Sequence, residues 1–124
     1  MMQAGGGDST VRPQNASGNL VKQGITYITA HFAEDPSLSE VAASLGVSPN
    51  YFSKIFKTIT GTSFQAYVTN LRINYAKQLL NESDVSVSEI ATMSGFNTLS
   101  NFLRTFKSVC GVTPSEFRTT TRER

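Results

Sequence analysis

Eight side chains in two clusters carry most of the chemistry this chain could offer. Asn50, Ser53, Lys54 and Lys57 form the first cluster; Ser100, Leu103, Arg104 and Lys107 form the second. Each set has i, i+3, i+4, i+7 spacing, which lines its members along one side of an α-helix. No acidic residue lies between Ser48 and Gly61, or between Asn97 and Gly111. A one-sided row of amides, hydroxyls and cations suits the base edges of a major groove, which is wide enough for one helix. Arg104 offers a bidentate fork for guanine and Asn50 a bidentate amide for adenine, while Lys54 reaches guanine or a phosphate. Ser53 and Ser100 are permissive partners, and Leu103 can pack on a thymine methyl. Lys57 and Lys107, one turn further on, suit phosphates, which position a protein without reading sequence.

Other chemistries fare poorly. The single cysteine, Cys110, excludes an internal disulfide and a cysteine-based zinc site, and the single histidine, His31, excludes histidine-clustered metal sites. No Ser/His/Asp set is available beyond His31, no paired carboxylates share a motif, and Gly5-Gly6-Gly7 lacks the following helix of a phosphate-cradling loop. We therefore expect no enzyme, no metal and no cofactor. His31 reads as a surface or partly packed residue, and Cys110 as a small buried hydrophobe rather than a redox sensor. No apolar run approaches the roughly 20 residues of a membrane span. The N-terminus lacks the basic and apolar regions of a secretory signal, so the cytosol is the default compartment. The 11 Lys plus Arg and 9 Asp plus Glu give a net charge of only +2, so the distribution of charge matters more than its total.

The elements that must position these clusters read as helices throughout the 124 residues. Residues 1–17 are rich in Gly, Ser and Asn and bury too little to offset ordering entropy; we expect a disordered leader or linker over 1–18. Leu20, Ile25, Ile28 and Phe32 make an amphipathic stripe ended by Asp35-Pro36. Ser37-x-x-Glu40, Ser86-x-x-Glu89 and Thr113-x-x-Glu116 are capping boxes, and Gly46 and Gly95 are helix stops. Ser48-Pro49 pairs an N-cap with Pro at the first helical position. Thr62-Ser-Phe-Gln65 is expected to cap a longer helix, and Asn97 to cap the helix running to about Cys110. Residues 119–124 read as a polar tail. No segment alternates with period 2, so the expected fold is all-α with about seven helices.

Self-comparison shows a repeat. LSEVAASLG (38–46) matches VSEIATMSG (87–95) at an offset of 49, and FSKIFKTITG (52–61) matches FLRTFKSVCG (102–111) at an offset of 50. Each copy is a capped short helix, a Gly turn and a second helix: the layout of a helix-turn-helix. Phe52, Ile55, Phe56 and Ile59 in one copy, and Phe102, Phe106 and Val109 in the other, form the expected inward faces. We place the first subdomain at about 19–61, a linker helix at about 63–81 and the second subdomain at about 85–118. Some 19 linker residues span about 28 Å, comparable with the roughly 34 Å between successive major-groove faces on one side of B-DNA. Arg72 and Arg118 read as structural, bonding helix carboxyl ends or capping residues, with DNA backbone contact second. A rival reading takes the basic faces as a protein-interaction module for an acidic partner.

The strings Gly95-Phe96, Phe102-x-x-x-Phe106-Lys107 and Gly111-Val-Thr-Pro-Ser-Glu-Phe-Arg118 resemble the signature of AraC/XylS-type transcription regulators. Ser48-Pro-Asn-Tyr-Phe-Ser-Lys-Ile-Phe-Lys57, Gly61, Leu71-Arg72-Ile73 and Ala76-Lys77-Gln-Leu-Leu80 match the same family, and coverage runs over about residues 20–118. Within it, the chain is most similar to the DNA-binding domains of YesN-like response regulators. The resemblance implies two helix-turn-helix subdomains whose second helices enter adjacent major-groove segments of double-stranded DNA and regulate transcription initiation. By position it implies base-reading candidates Ser48, Asn50, Ser53, Lys54, Leu99, Ser100, Leu103 and Arg104, with Lys57, Asn97, Asn101 and Lys107 as DNA backbone candidates. It further implies a bacterial, nucleoid-associated protein, RNA polymerase as a partner, a monomeric isolated domain and a dimer at full length. Two departures stand out. Leu99 and Leu103 are apolar where readers often carry polar groups, so the second unit is expected to read few bases directly. The first unit has only Lys54 in place of an Arg fork, so modest affinity is expected. Family members usually carry a further effector, receiver or dimerisation domain, so the chain reads as a C-terminal fragment of a longer regulator.

Overall fold

A computed structural model describes residues 13–122. The described residues form α1 (Pro13–His31), a 3₁₀ turn (Phe32–Glu34), α2 (Leu38–Ser44), α3 (Pro49–Thr60), α4 (Phe64–Glu82), α5 (Val87–Met93), α6 (Leu99–Cys110) and α7 (Pro114–Arg122). Every regular element among them is helical, and seven α-helices are present.

The caps explain most of the boundaries. Ser37 Oγ accepts from the Glu40 N–H at 3.0 Å while Glu40 Oε1 accepts from the Ser37 N–H at 2.9 Å, a complete capping box. Thr113 and Glu116 exchange the same two bonds at 3.1 and 2.9 Å ahead of α7. At Ser86 the serine half is formed, its Oγ accepting from the Glu89 N–H at 3.1 Å.

Four boundaries differ from expectation. α1 begins at Pro13, so residues 13–18 are helical rather than a disordered leader; proline suits a first helical position, and Ser17 Oγ lies 3.2 Å from Tyr51 Oη. The rest of the expected leader lies outside the described residues. α4 is capped by Ser63, whose Oγ accepts from the Ala66 N–H at 3.1 Å. Thr62 is instead engaged with Thr60, donating its N–H to Thr60 Oγ1 and accepting that hydroxyl at its carbonyl. α6 is capped by Thr98, not Asn97: Thr98 holds the extended backbone (φ −135°, ψ 153°) and its Oγ1 accepts from the Asn101 N–H at 3.0 Å. α7 continues to Arg122 because side-chain bonds hold its last turn, so residues 119–122 are helix and not tail.

The chain folds as two compact units. The first, which includes residues 37–66, buries Val21, Ile28, Val41, Ala42, Phe52, Ile55, Phe56 and Phe64. Its centre is a triangle of Phe52, Phe56 and Phe64 with ring centroids 5.6–6.1 Å apart, two of the three pairs edge-to-face. Gly24 lets α1 approach this triangle, since a β-carbon there would stand 2.5 Å from Phe52 Cζ.

The second unit comprises residues 31–36 and the chain from Tyr67 onward. Its core is Ile73, Ala76, Leu80, Ile90, Ala91, Phe96, Phe102 and Phe106, flanked by Leu79, Val85, Val87, Cys110 and Phe117. Phe96, Phe102, Phe106 and Phe117 follow one another at 5.1–5.7 Å. At roughly 1.5–3 kcal/mol per buried large apolar side chain, these phenylalanines dominate the unit's stability. The helix expected as a linker is thus largely core, as Ile73, Ala76 and Leu80 belong to this cluster. Ile59 and Val109 depart from the inward faces assigned to them: both are about half exposed, at 47% and 49%, because the last turns of α3 and α6 run beyond the packed centre.

Candidate nucleic-acid interface

In each unit the turn before the second helix is built by the same backbone bonds. Gly46 and Gly95 adopt φ of +75° and +97° just past α2 and α5. Gly46 N–H donates to Ala43 O and Val47 N–H to Ala42 O; Gly95 N–H donates to Thr92 O and Phe96 N–H to Ala91 O. This doubled pattern is the Schellman stop, which needs a residue tolerant of left-handed backbone. Ser48 and Thr98 then restart the chain as N-caps of α3 and α6, and Gly61 and Gly111 close those helices by donating to the carbonyls of Lys57 and Lys107.

Each helix turns most of these candidate side chains outward. Asn50, Lys54 and Lys57 are exposed on α3, with Ser53 half-buried beside them. Leu99, Ser100, Leu103, Arg104 and Lys107 are exposed on α6, and Asn97 is exposed ahead of it. Phe52, Phe56, Phe102 and Phe106 are fully buried, which fixes the rotation of each helix about its axis. Two candidates have local work as well. Ser48 Oγ accepts from the Tyr51 N–H at 3.2 Å, so its hydroxyl is partly committed to capping. Half-buried Asn101 accepts through Oδ1 from Arg104 Nη2 at 3.1 Å and from Thr105 Oγ1 at 3.4 Å.

The second unit also holds arginine clamps whose partners sequence reasoning did not find. Buried Arg72 donates from Nε to Phe32 O at 3.0 Å and from Nη2 to Asp35 Oδ1 at 2.8 Å, and its guanidinium lies 5.8 Å from the Phe96 ring centroid. In the second copy Arg122 donates from Nη1 to Asp84 Oδ1 at 2.8 Å, and from Nη2 to Ser83 O. The two pairs are related by the repeat, Asp35 to Asp84 and Arg72 to Arg122. The available signal was the shared pattern Asp35-x-Ser37-x-Ser39-Glu40 and Asp84-x-Ser86-x-Ser88-Glu89. Arg118 donates to Leu80 O, Ser83 O and Val85 O at 3.1, 3.1 and 2.7 Å, closing the C-terminal end of α4, as expected of a structural arginine.

The electrostatics follow these contacts. The Arg122 hydrogen bond and charge hold the Asp84 carboxyl below its usual range, and the Thr113 backbone and hydroxyl bonds do the same for Glu116. Burial pushes the Cys110 thiol up. Among the described residues no group of three or more His, Cys, Asp or Glu side chains could hold a metal ion. No helix among them is long and apolar enough to cross a membrane.

Two helix-turn-helix units with acid-free outward second helices define a specific pattern, and a family profile described as a helix-turn-helix domain matches residues 41–120. The chain belongs to the AraC/XylS-type helix-turn-helix family. As an AraC/XylS-type domain it is a DNA-binding element of transcription regulators, and the family is not one of enzymes. It is similar to the regulatory protein PocR of Salmonella typhimurium, 37% identical over 111 residues that cover 90% of this chain. The chain spans 37% of PocR's length and 13% of longer helix-turn-helix regulators that it also matches. Among solved structures it is similar to the C-terminal domain of AraT, a response regulator from Geobacillus stearothermophilus (TM-score 0.79, 36% identity, 82% of this chain and 84% of that one). It is also similar to the DNA-binding domain of the global transcriptional factor AdpA, solved with a target DNA (TM-score 0.80, 26% identity, 84% and 94%).

Proposed function

We propose that this domain reads double-stranded DNA through α3 and α6, each inserted into one of two adjacent major-groove segments of a promoter or operator. The observation that carries this reading is the twice-repeated segregation of charge: Lys54 and Lys57, then Arg104 and Lys107, with no acid on either helix. Ser48, Asn50, Ser53 and Lys54, with Leu99, Ser100, Leu103 and Arg104, are the base-reading set. Lys57, Asn97, Asn101 and Lys107 serve the DNA backbone. The domain works in the bacterial cytoplasm on nucleoid DNA, as part of a longer regulator that contacts RNA polymerase, and by itself it is monomeric.

The test is binding to selected duplexes over a salt series. Phosphate neutralisation makes log affinity fall linearly with log salt, with a slope of about −0.9 per phosphate contact. Absence of binding to any duplex, even at the lowest salt, would overturn the assignment in favour of an acidic protein partner.

A further inference from the structure

The outward faces of α3 and α6 share a layout but not a chemistry. On α6 two adjacent i, i+4 rows face outward: Leu99, Leu103 and Lys107 in one, Ser100, Arg104 and Ser108 in the other. The corresponding rows of α3 are Pro49, Ser53, Lys57 and Asn50, Lys54, Thr58. Leu99 and Leu103 stay 42% and 38% exposed, while the core beneath them is filled by Phe102 and Phe106. A single exposed leucine means little. Two in one row, ending in a phosphate-seeking lysine and beside an arginine fork, form an apolar strip along a base-reading face.

An apolar strip has one good partner on the floor of a major groove. Base edges there present donors and acceptors, and desolvating these against leucine leaves them unpaired; the C5 methyl of a pyrimidine is the apolar exception. Arg104 is restrained beside the strip. Its Nη2 donates to Asn101 Oδ1 at 3.1 Å, which leaves its other N–H groups for guanine O6 and N7.

Building on the DNA-reading assignment of α6, we propose that the second unit is a pyrimidine-methyl reader. Leu99 and Leu103 pack on the C5 methyls of thymines that neighbour a guanine held by Arg104, and 5-methylcytosine can replace thymine there. The first unit, with Ser53 where the second has Leu103, does not sense the methyl.

The test begins with sites selected by this chain from a random duplex library, followed by replacement of each thymine, one at a time, with deoxyuridine. At one or two positions beside the guanine that Arg104→Ala ceases to discriminate, loss of the methyl should weaken binding roughly fourfold, the effect of unburying about one methyl-sized group. Installing 5-methylcytosine in place of cytosine there should restore that factor. The double variant Leu99→Ser with Leu103→Ser, both at exposed sites and with the helical circular dichroism unchanged, should bind thymine and deoxyuridine duplexes alike. Salt-dependent binding in which every thymine tolerates deoxyuridine within about twofold would overturn the methyl-reader assignment and leave the DNA-binding reading intact. Methyl sensitivity that persists in that double variant would overturn it as well. Failure to bind any duplex at the lowest salt would overturn both.

Discussion

Gly46 and Gly95 occupy equivalent turns, so replacing each with alanine separates backbone strain from crowding. Both hold positive φ, +75° and +97°, where an L-residue pays on the order of 1–2 kcal/mol. At Gly46 nothing lies within 4 Å of the added β-carbon, so the cost of Gly46→Ala is that strain alone. At Gly95 the β-carbon would stand 2.9 Å from Ala33 Cα, 2.9 Å from Arg72 Nε and 3.0 Å from Phe32 O. Two of these are backbone atoms that cannot rotate aside. Relief therefore requires the 32–35 segment to retreat from Arg72, which breaks the Nε bond to Phe32 O and disturbs the pair with Asp35. A hydrogen bond to a charged group is worth about 1.5–3 kcal/mol, and Arg72 is only 7% exposed, so solvent offers little replacement. Gly95→Ala should cost about 2.5–5 kcal/mol in all, against about 1–2 kcal/mol for Gly46→Ala. At roughly 4–8 °C per kcal/mol for a domain of this size, the Tm should fall by about 10 °C or more. Thermal unfolding followed by far-UV circular dichroism, with urea titration as a second measure, reads both variants. Equal losses for the two, or a smaller loss for Gly95→Ala, would refute the argument from close approach.

Further outcomes are expected. Lys57→Ala should weaken binding equally on all duplexes and reduce the salt slope by about one, whereas Arg104→Ala should lose about 1–3 kcal/mol only on sites carrying its guanine; competition titrations at several salts distinguish them. Ser94 Oγ is fully buried and has no hydrogen-bond partner among the described residues; Ser94→Ala should raise the Tm, by up to about 1–3 kcal/mol of stability, measured by the same melting experiment. Asp84 and Glu116 have lowered folded-state pKa values, so their contribution is present above the ordinary carboxylate range and is lost as pH falls through the lowered values. Asp84→Asn with Glu116→Gln should therefore flatten the acid limb of stability against pH below about pH 4–5, and salt should shrink the Asp84 part.

How much of this was legible depended on range along the chain. Ser37–Glu40 and Thr113–Glu116 were readable because the partners sit three residues apart and the pattern contains them both. Thr98 was not, because Asn97 and Thr98 are adjacent capable caps and the choice falls to whichever residue holds extended backbone. Ser63 displaced Thr62 for a similar reason: Thr62 was already drawn to Thr60. The outward faces of α3 and α6 followed from helical period and the absence of acids. What period cannot reveal is which members are held by neighbours, such as Ser48 at the Tyr51 N–H and Asn101 under Arg104. Arg72 was recognisable as structural, yet its partners lie 37 and 40 residues away, and no local pattern names them. Ile59 and Val109 were misplaced because periodicity continues to a helix's end whether or not the core does.

The chain passes between the two units three times, between Ala30 and His31, between Pro36 and Ser37, and between Ala66 and Tyr67, the last inside the unbroken α4. At the last of these crossings a protease meets intact hydrogen-bonded helix where a linker would ordinarily be cut. Limited digestion should nick the 83–86 connection or the 61–63 turn first, and each cut falls within a unit. Because the chain crosses three times, no single cut releases either unit whole, and the fragments of a single cut are broken units.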